Sequence, residues 1–312
     1  MYHMTKTSKI RYNRKKTSRN ASQAVEMDVS IIMKRVHVVT DSTSGITQQD
    51  IAKYDIHVVP LTVFIDGESF QDGENLTPTQ FLDKMSQSKA LPKSSQPPMG
   101  VFEELFNELG KDGDDVLVLT LTHTLSGTVR SAESAGESSI ANVKVIDSQF
   151  TSWGLGFQVL EAAKMAQQGK SLDEIVARVE TVRDNTKLYL VVDTLENLIK
   201  GGRIGKGMGM VGALLNIKPV AIVEDGALKN FAKVRSHKQV LKLLKKQFLE
   251  DTAGKTIKGI GLEHADSPAL TEPLLEFFKN EIGFEDVRFN VTSPIISTHT
   301  GVGAIGLSYY AE

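Results

Sequence analysis

The stretch from Asp115 to Arg130 constrains the fold more than any other part of the sequence. Residues 116–121 form an apolar run rich in β-branched side chains, which is typical of a buried parallel strand, and a hydroxyl-rich turn follows over residues 122–128. The next residues favour a helix, so we expect Ser126 or Thr128 to cap its N-terminus. Ligands of open α/β sheets bind at the carboxyl ends of strands, and a helix N-terminus attracts anions. The turn is therefore predicted to hold an anion, although a Ser126 that only caps the helix explains the local pattern equally well.

Strand-like and helix-like segments alternate along most of the chain. A capping box of Thr47 and Asp50 predicts a helix over residues 48–54, Thr77 with Pro78 begins another, and a capping box of Ser171 and Glu174 begins a third. The pattern predicts strands over residues 36–40, 57–65, 116–121, 143–147, 188–192, 219–223, 227–234, 259–262 and 287–291. Asp225 and Gly226 predict a hairpin turn between the strands over residues 219–223 and 227–234. It predicts further helices over residues 101–109, 155–168, 172–185, 194–200, 240–249 and 269–282. This alternation implies parallel βαβ units and hence an α/β fold.

The length of the chain bears on its division into domains. A chain of 312 residues is long for a single hydrophobic core and long enough to form two. We expect an N-terminal α/β domain with a parallel sheet over residues 34–150 and a C-terminal α/β domain over residues 151–312. Residues 1–33 are predicted to be a disordered basic extension, since residues 1–25 contain seven Lys or Arg and no acidic residue. An upstream-extended start codon explains this extension as well as a binding role does, and we assign it no function.

Charge and composition argue against several classes of protein. Residues 26–312 carry 29 basic against 38 acidic side chains, which argues against nucleic acid as the partner of the folded body. The chain has no Cys, so it can form neither a disulfide nor a cysteine metal site, and this fits a reducing cytoplasm. No apolar run approaches the roughly 18 residues of a membrane span. We therefore expect a globular cytoplasmic protein.

Several motifs that suggest particular chemistry fail on closer inspection. Two G-x-G-x-x-G stretches occur over residues 207–212 and 301–306. The first follows a predicted helix rather than a strand, and the second leaves no room for an acidic residue about 20 positions later, so neither fits a dinucleotide site. Asp41 lacks the second carboxylate of a phosphatase-type nucleophile. The seven histidines show no metal-ligand spacing, so we expect neither a metal site nor a cofactor.

His299 and two arginines are further candidates. His299 stands in a predicted turn of small and hydroxyl residues, where a ligand can approach closely, and a purely structural histidine is the alternative. A Ser-His-Asp triad of His299 with Ser126 is conceivable, but the G-x-S-x-G elbow of such enzymes is missing. Arg203 and Arg235 can each pair with an anion or remain solvated.

Five motifs, taken together, resemble the DegV family of bacterial fatty-acid-binding proteins in their order and rough spacing. They are VVTDSTS over residues 38–44, SSQP over 94–97, LSGT over 125–128, GRI over 202–204 and HTGVG over 299–303. The resemblance covers about residues 36–311. It implies a carrier without chemistry of its own, which buries a fatty acid between two α/β domains. It also implies a partner, a separate fatty acid kinase that receives the carboxylate and whose acyl phosphate product feeds phospholipid synthesis. Transient contact with a membrane surface is left open.

The resemblance also assigns roles to individual residues. Ser94, with Ser95 beside it, and Ser126 would hydrogen-bond the fatty acid carboxylate, and His299 would lie beside them. Two basic residues would shape the surface that the kinase meets, and these are Arg203 and Arg235.

Two positions depart from the usual family pattern. Ser94 stands where threonine is usual and Val302 where proline is frequent, so hydrogen-bond donors are kept but the acyl-chain preference is left open. Burying about fifteen methylenes of the acyl chain at about 0.8 kcal/mol each supplies roughly 12 kcal/mol before association costs, so the residues around the head group need only position it.

The alternative functions are a serine hydrolase or phosphoryl-transfer enzyme built on Ser126 and His299, and a regulatory protein whose basic tail binds nucleic acid.

Overall fold

The computed structural model of the chain describes residues 34–204 and 217–312. Arg35–Glu312 forms one compact unit of helices and strands. The predicted basic extension over residues 1–33 and the first glycine motif over residues 207–212 lie outside the described residues. None of the described helices combines the length and the apolar character that a membrane span requires.

A four-stranded parallel sheet forms the first part of the fold, which confirms the predicted α/β class. Its order is β2-β1-β6-β7, and its strands are β1 (Val36–Asp41), β2 (Ile56–Val59), β6 (Asp115–Thr120) and β7 (Asn142–Asp147). Every residue of β6 is buried, as expected for an unbroken apolar run. Helix α1 (Gln48–Tyr54) connects β1 to β2 and begins with the predicted capping box of Thr47 and Asp50.

The predicted single strand over residues 57–65 is wrong, because the chain forms two strands there that belong to different sheets. After β2 the chain enters a three-stranded antiparallel sheet of order β4-β3-β5, formed by β3 (Thr62–Ile65), β4 (Glu68–Gln71) and β5 (Lys93–Ser95). Pro60 separates β2 from β3, since it has no N–H to donate to a sheet. Asp66 and Gly67, both with positive φ, form the tight turn between β3 and β4.

Three helices surround these two sheets, namely α2 (Pro78–Gln87), α3 (Met99–Leu109) and α4 (Thr128–Ser138). Helix α2 begins as predicted, with Thr77 as the capping residue. The predicted cap of α4 is wrong, because Gly127 occupies the cap position and no side chain caps the helix there. Ser126 lies one residue too early for a cap, and its Oγ accepts a 3.4 Å bond from the Thr128 backbone N–H instead.

Helix α5 (Ser152–Gln167) is buried inside the compact unit. Every residue from Ser152 to Leu160 is buried, and a helix that is enclosed on all sides is expected to be apolar around its whole circumference. Its residues share one hydrophobic core with Leu117 of β6 and with Tyr310. Helix α6 (Leu172–Asp184) packs beside α5 and begins with the predicted capping box of Ser171 and Glu174.

The second half of the chain forms a six-stranded mixed sheet of order β10-β9-β8-β13-β11-β12. Its strands are β8 (Thr186–Val191), β9 (Lys218–Glu224), β10 (Ala227–Val234), β11 (Ile257–His264), β12 (Val287–Val291) and β13 (Ile305–Ala311). Neighbouring strands are antiparallel except for β11 and β12. The predicted hairpin turn is confirmed, since Asp225 and Gly226 both have positive φ between β9 and β10.

Helices α7 (Glu196–Lys200), α8 (His237–Asp251) and α9 (Pro268–Glu276) accompany this sheet. The predicted helix over residues 269–282 ends early, because a π-helical turn replaces it over Phe277–Glu281.

The end of the chain also differs from the prediction. Pro294–Thr300 forms helix α10, so His299 lies in a helical turn rather than in a loop. Strand β13, which the sequence pattern did not reveal, is fully buried between β8 and β11.

Candidate functional site

A cavity of about 390 Å³ lies where the carboxyl ends of β1 and β6 face the six-stranded sheet. Apolar side chains from both parts of the fold line it, among them Leu121, Leu125, Leu188, Leu190, Val223 and Leu228. This volume falls within the range of small-molecule sites in proteins. The cavity lies at the edge of the parallel sheet where the sequence predicts ligand binding.

Ser94 and His299 make a direct polar contact at the wall of this cavity. Ser94 lies on β5, opposite Val63 of β3, and His299 lies in the last turn of α10. The Ser94 Oγ is 2.8 Å from the His299 Nε2. Strand β5 and helix α10 thereby bring together two of the predicted site residues that are 205 positions apart in the sequence.

Burial keeps the imidazole of His299 neutral. The pKa of His299 is lowered from 6.5 to about 4, first by burial and second by the positive charge of Arg203. Its Nδ1 is buried and has no hydrogen-bond partner within the described ranges. Gly201 makes room for the ring, because a Cβ at this position would lie 2.4 Å from Nδ1. A Ser-His-Asp triad needs a carboxylate at Nδ1, and Nε2 contacts Ser94 rather than Ser126, so the described contacts do not assemble the alternative enzyme site.

Ser126 lines the same cavity from the turn between β6 and α4. Its Oγ is 2.9 Å from the Thr128 Oγ1, and either hydroxyl can donate to the other. When Thr128 donates, the Ser126 hydroxyl hydrogen is free to point at a ligand. The turn therefore presents a hydroxyl that another hydroxyl orients.

Gln96 fixes the loop after β5 against the start of α4. Its Nε2 donates to the Ser131 Oγ at 2.7 Å. Its amide also packs directly on Gly127, where an added Cβ would lie 2.1 Å from the Gln96 Oε1. Because Ser94 and Ser95 directly precede Gln96, this contact sets their position relative to Ser126. All three serines line the cavity.

The two predicted arginines lie in different places. Arg203 lines the cavity, where its Nε donates to the Leu125 carbonyl at 3.0 Å and its guanidinium also donates to the Gly201 carbonyl at 2.6 Å. It is the one cation among the described residues that line the cavity. Arg235 is exposed just after β10 and is not among the lining residues, and its backbone N–H donates to Gln239. The structure thus brings Arg203, but not Arg235, to the predicted serines and histidine.

Glu263 is a cavity residue that the sequence analysis did not single out. It is 1% exposed on β11, accepts hydrogen bonds from Ser152 and, at 2.8 Å, from Asn290. Burial raises its pKa from 4.5 to about 7, although both hydrogen bonds favour the charged form. The available signal was an acidic residue directly after the apolar run of residues 259–262, since buried carboxylates need partners and are uncommon.

The arrangement suits an amphipathic ligand. Leucine, valine and isoleucine side chains supply an apolar interior, and the polar wall offers hydroxyl groups, a neutral imidazole and one guanidinium that is already held by backbone carbonyls. Hydroxyl groups can donate to an anionic head group without a tight bidentate clamp.

Comparison with known proteins agrees with this architecture. The model of the DegV family, described as "Uncharacterised protein, DegV family", matches residues 35–312. A DegV domain-containing protein of Listeria monocytogenes is 41% identical over 281 residues, which cover 90% of this chain and 100% of the relative.

Solved structures of similar proteins share the fold. A fatty-acid-binding DegV family protein from Thermus thermophilus has a TM-score of 0.83 and 32% identity, covering 89% of this chain and 100% of its own. DegV, a fatty acid binding protein from Bacillus subtilis, has a TM-score of 0.82 and 28% identity, with coverage of 89% and 100%. A DegV family protein from Eubacterium eligens loaded with heptadecanoic acid has a TM-score of 0.76 and 26% identity, again covering 89% and 100%.

Proposed function

The chain belongs to the DegV family, and from this premise we propose that its cavity binds one long-chain fatty acid. The observation that carries the proposal is a cavity of about 390 Å³ that is mainly apolar yet has the Ser94–His299 contact in its wall. Similar proteins that bind fatty acids support it. The apolar lining receives the acyl chain, and the polar wall receives the carboxylate.

The carboxylate is held, in this proposal, by the hydroxyls of Ser94 and Ser126, with Ser95 and His299 beside them. A hydrogen bond to a charged group contributes about 1.5–3 kcal/mol, whereas burial of about fifteen methylenes contributes roughly 12 kcal/mol before association costs. The acyl chain therefore supplies most of the affinity. The hydroxyls mainly determine where the carboxylate oxygens lie.

A carboxylate that is positioned rather than clamped suits a carrier that passes its ligand on. We therefore extend the proposal to a cytoplasmic fatty acid kinase as the partner, which would phosphorylate the carboxylate of the bound fatty acid. The acyl phosphate would then feed phospholipid synthesis. Neither the apolar lining nor the hydroxyl pair requires chemistry by this chain itself.

The test is to separate binding from transfer with Ser94→Ala, Ser126→Ala and the double variant. Each single variant should lose roughly 10- to 150-fold in fatty acid affinity, because one hydrogen bond to a charged group is lost and the acyl chain still binds. Transfer should fall much further, since a misplacement of about 1 Å can cost on the order of a hundredfold in rate. Affinity is measured by titrating delipidated protein, and transfer by acyl phosphate formation with a purified fatty acid kinase and ATP.

Ser88→Ala is the matched control, because Ser88 is only half-buried, makes hydrogen bonds near the end of α2 and does not line the cavity. It should leave affinity and transfer unchanged. Transfer at the wild-type rate by the double variant would show that the hydroxyl pair does not hold the head group.

A further inference from the structure

A second cluster of polar side chains lies at the amino ends of β1 and β2, at the opposite end of these strands from the cavity. Strands β1 and β2 are parallel, with Val38 opposite Ile56 and Val39 opposite His57. His37 directly precedes Val38 on β1, and Asp55 ends helix α1 directly before β2. His37, Asp55 and His57 each offer one ligand atom, and these three atoms lie within 4.8 Å of one another.

Each of the two imidazoles has one buried nitrogen without a hydrogen-bond partner among the described residues. His37 is about nine-tenths buried, and its Nε2 is 3.2 Å from the Asp114 Oδ2. An Nε2–H that donates to this carboxylate leaves the lone pair on Nδ1, and Nδ1 is buried without a partner. The His57 Nε2 is likewise buried without a partner within the described ranges. Buried polar atoms are normally satisfied, so two such nitrogens beside one carboxylate indicate a missing ligand.

The contact between His37 and Asp114 has the form that accompanies metal binding. A histidine that binds a metal through one nitrogen usually donates its other N–H to a carboxylate, which fixes the tautomer and makes the ligand more basic. Burial also lowers the pKa of His57, with Asp55 opposing this shift, and His37, Arg35 and Glu108 making smaller contributions. A lowered pKa keeps His57 neutral, which is the form that binds metals.

We propose that one ring nitrogen of His37, one ring nitrogen of His57 and an Asp55 carboxylate oxygen bind a divalent transition metal ion of the Zn²⁺ type, and the unpartnered His37 Nδ1 and His57 Nε2 are the candidate nitrogens. Two imidazoles, one carboxylate and no thiolate favour such an ion over Ca²⁺ or Mg²⁺, which prefer oxygen ligands. Asp55 is exposed, so an ion can enter from solvent and keep water at its remaining position. This site departs from the sequence-based expectation of no metal.

The geometry requires only a modest rearrangement. Ligand atoms of a tetrahedral zinc site with bonds of about 2.0–2.1 Å lie roughly 3.4 Å apart, so the three atoms must approach by at most roughly 1.4 Å. Arg35 now pairs with the Asp55 Oδ2 and would compete with the ion for this carboxylate. Since Arg35 and Asp55 are both more than half exposed, their contact can open without disturbing the core.

The proposed ion would join two neighbouring strands of the parallel sheet and does not depend on fatty acid binding. From His37 to Asp41 the strand rises roughly 13 Å, so the ion would lie well away from the cavity. Its effect is therefore expected on the stability of the β1–β2 pair rather than on the ligand.

The experiment titrates the chelator-treated, tag-free full-length protein with ZnCl₂ by calorimetry and by thermal unfolding. We expect one Zn²⁺ per chain at this site and a higher Tm in its presence. His57→Gln and Asp55→Asn should each weaken binding at least tenfold, and Arg35→Gln should strengthen it by removing the competing cation. His123→Gln is the matched control. His123 is exposed and also contacts a carboxylate, that of Asp147, but it lies at the carboxyl ends of β6 and β7, at the other end of the sheet from the proposed site.

Asp55→Asn also guards against a folding artefact, because Asp55 is exposed and asparagine tolerates its positive φ of 52°. The proposal is overturned if wild-type protein takes up no Zn²⁺, or if Asp55→Asn and His57→Gln bind it as tightly as the His123→Gln control. Fatty acid affinity should be the same with and without Zn²⁺, so failure of this site leaves the proposed carrier function untouched.

Discussion

At the scale of single residues, the cavity combines neutral groups and the Arg203 guanidinium with one acid whose charge depends on pH. His299 is neutral at physiological pH because its pKa is lowered to about 4. Glu263 is only partly ionised near pH 7 because burial raises its pKa. A cavity wall of this kind repels a carboxylate less at lower pH, when Glu263 is protonated.

Glu263 should therefore make folding stability depend on pH. Its pKa is about 7 when folded, against an ordinary value of 4.5 when unfolded, so the folded state holds an extra proton between these values. Its contribution to stability is fully present below about pH 4 and is lost as the pH rises through 7. Glu263→Gln removes this titration, so its free energy of unfolding relative to wild type should rise between pH 5 and pH 8, by up to about 3 kcal/mol. Urea unfolding at several pH values measures it, and a difference that stays constant would contradict the assigned pKa shift.

Some residues that line the cavity could be predicted from the sequence and others could not. Ser94, Ser126 and His299 stand in short motifs of hydroxyl, small and proline residues, which mark turns near strand ends. Glu263 has no such context, since its partners Ser152 and Asn290 come from distant segments. Local pattern also could not place Arg203 in the cavity and Arg235 outside it.

At the scale of elements, the polar wall is assembled by contacts between short segments. Strand β5 provides Ser94, the turn before α4 provides Ser126, and the end of α10 provides His299. Gly127 and Gln96 join the first two of these segments. The arrangement of the serines therefore depends on a glycine whose Cβ position is occupied by a neighbour.

Gly127→Ala should displace the loop after β5 and weaken fatty acid binding several-fold. The added Cβ would lie 2.1 Å from the Gln96 Oε1, whereas the backbone φ of −80° at Gly127 is unstrained for alanine. Gly100→Ala in α3 is the matched control, because its Cβ meets nothing within 4 Å. Affinity is measured by titration of delipidated protein, and equal affinities of the two variants would show that Gln96 does not position the serines.

Charge reversal should distinguish the two arginines, because they follow different elements. Arg203→Glu should lower fatty acid affinity, since Arg203 lines the cavity after α7 and the variant would bring a second acid near the carboxylate. Arg235→Glu, after β10, should leave affinity unchanged and slow acyl phosphate formation, as expected for a residue that guides a partner. The control is Lys238→Glu, an exposed position at the start of α8. Wild-type affinity in Arg203→Glu, or wild-type transfer in Arg235→Glu, would contradict these roles.

The elements show where sequence reasoning succeeds and where it fails. Capping boxes at Thr47 and Ser171, and Thr77 followed by Pro78, predicted three helix starts correctly, because the residues that mark each start lie within four positions of each other. The break at Pro60 was missed, since the flanking apolar runs are alike and only the tertiary fold assigns them to two sheets. The closeness of His37 to His57 was equally invisible, because the parallel pairing of β1 with β2 brings together residues that no local spacing relates.

At the scale of the whole molecule, the buried helix α5 connects the parts that enclose the cavity. It packs on β1 and β6 of the parallel sheet and on β11 and β13 of the mixed sheet. The sequence predicted a helix over residues 155–168 but not its partners, because a helix segment that is buried on every side does not show in its sequence which elements cover it. The cavity exists because two sheets meet around this helix, and its two walls come from distant parts of the chain.

The measurement that tests the central claim most directly is the fatty acid content of protein purified from cells without added lipid. Native mass spectrometry, with extraction of the denatured protein, should find about one long-chain fatty acid per chain. Delipidated protein should regain its higher Tm when fatty acid is added, and a fatty alcohol of equal chain length should raise it less, because the alcohol lacks the carboxylate. Purified protein that releases no fatty acid, together with a Tm that added fatty acid does not raise, would contradict the account.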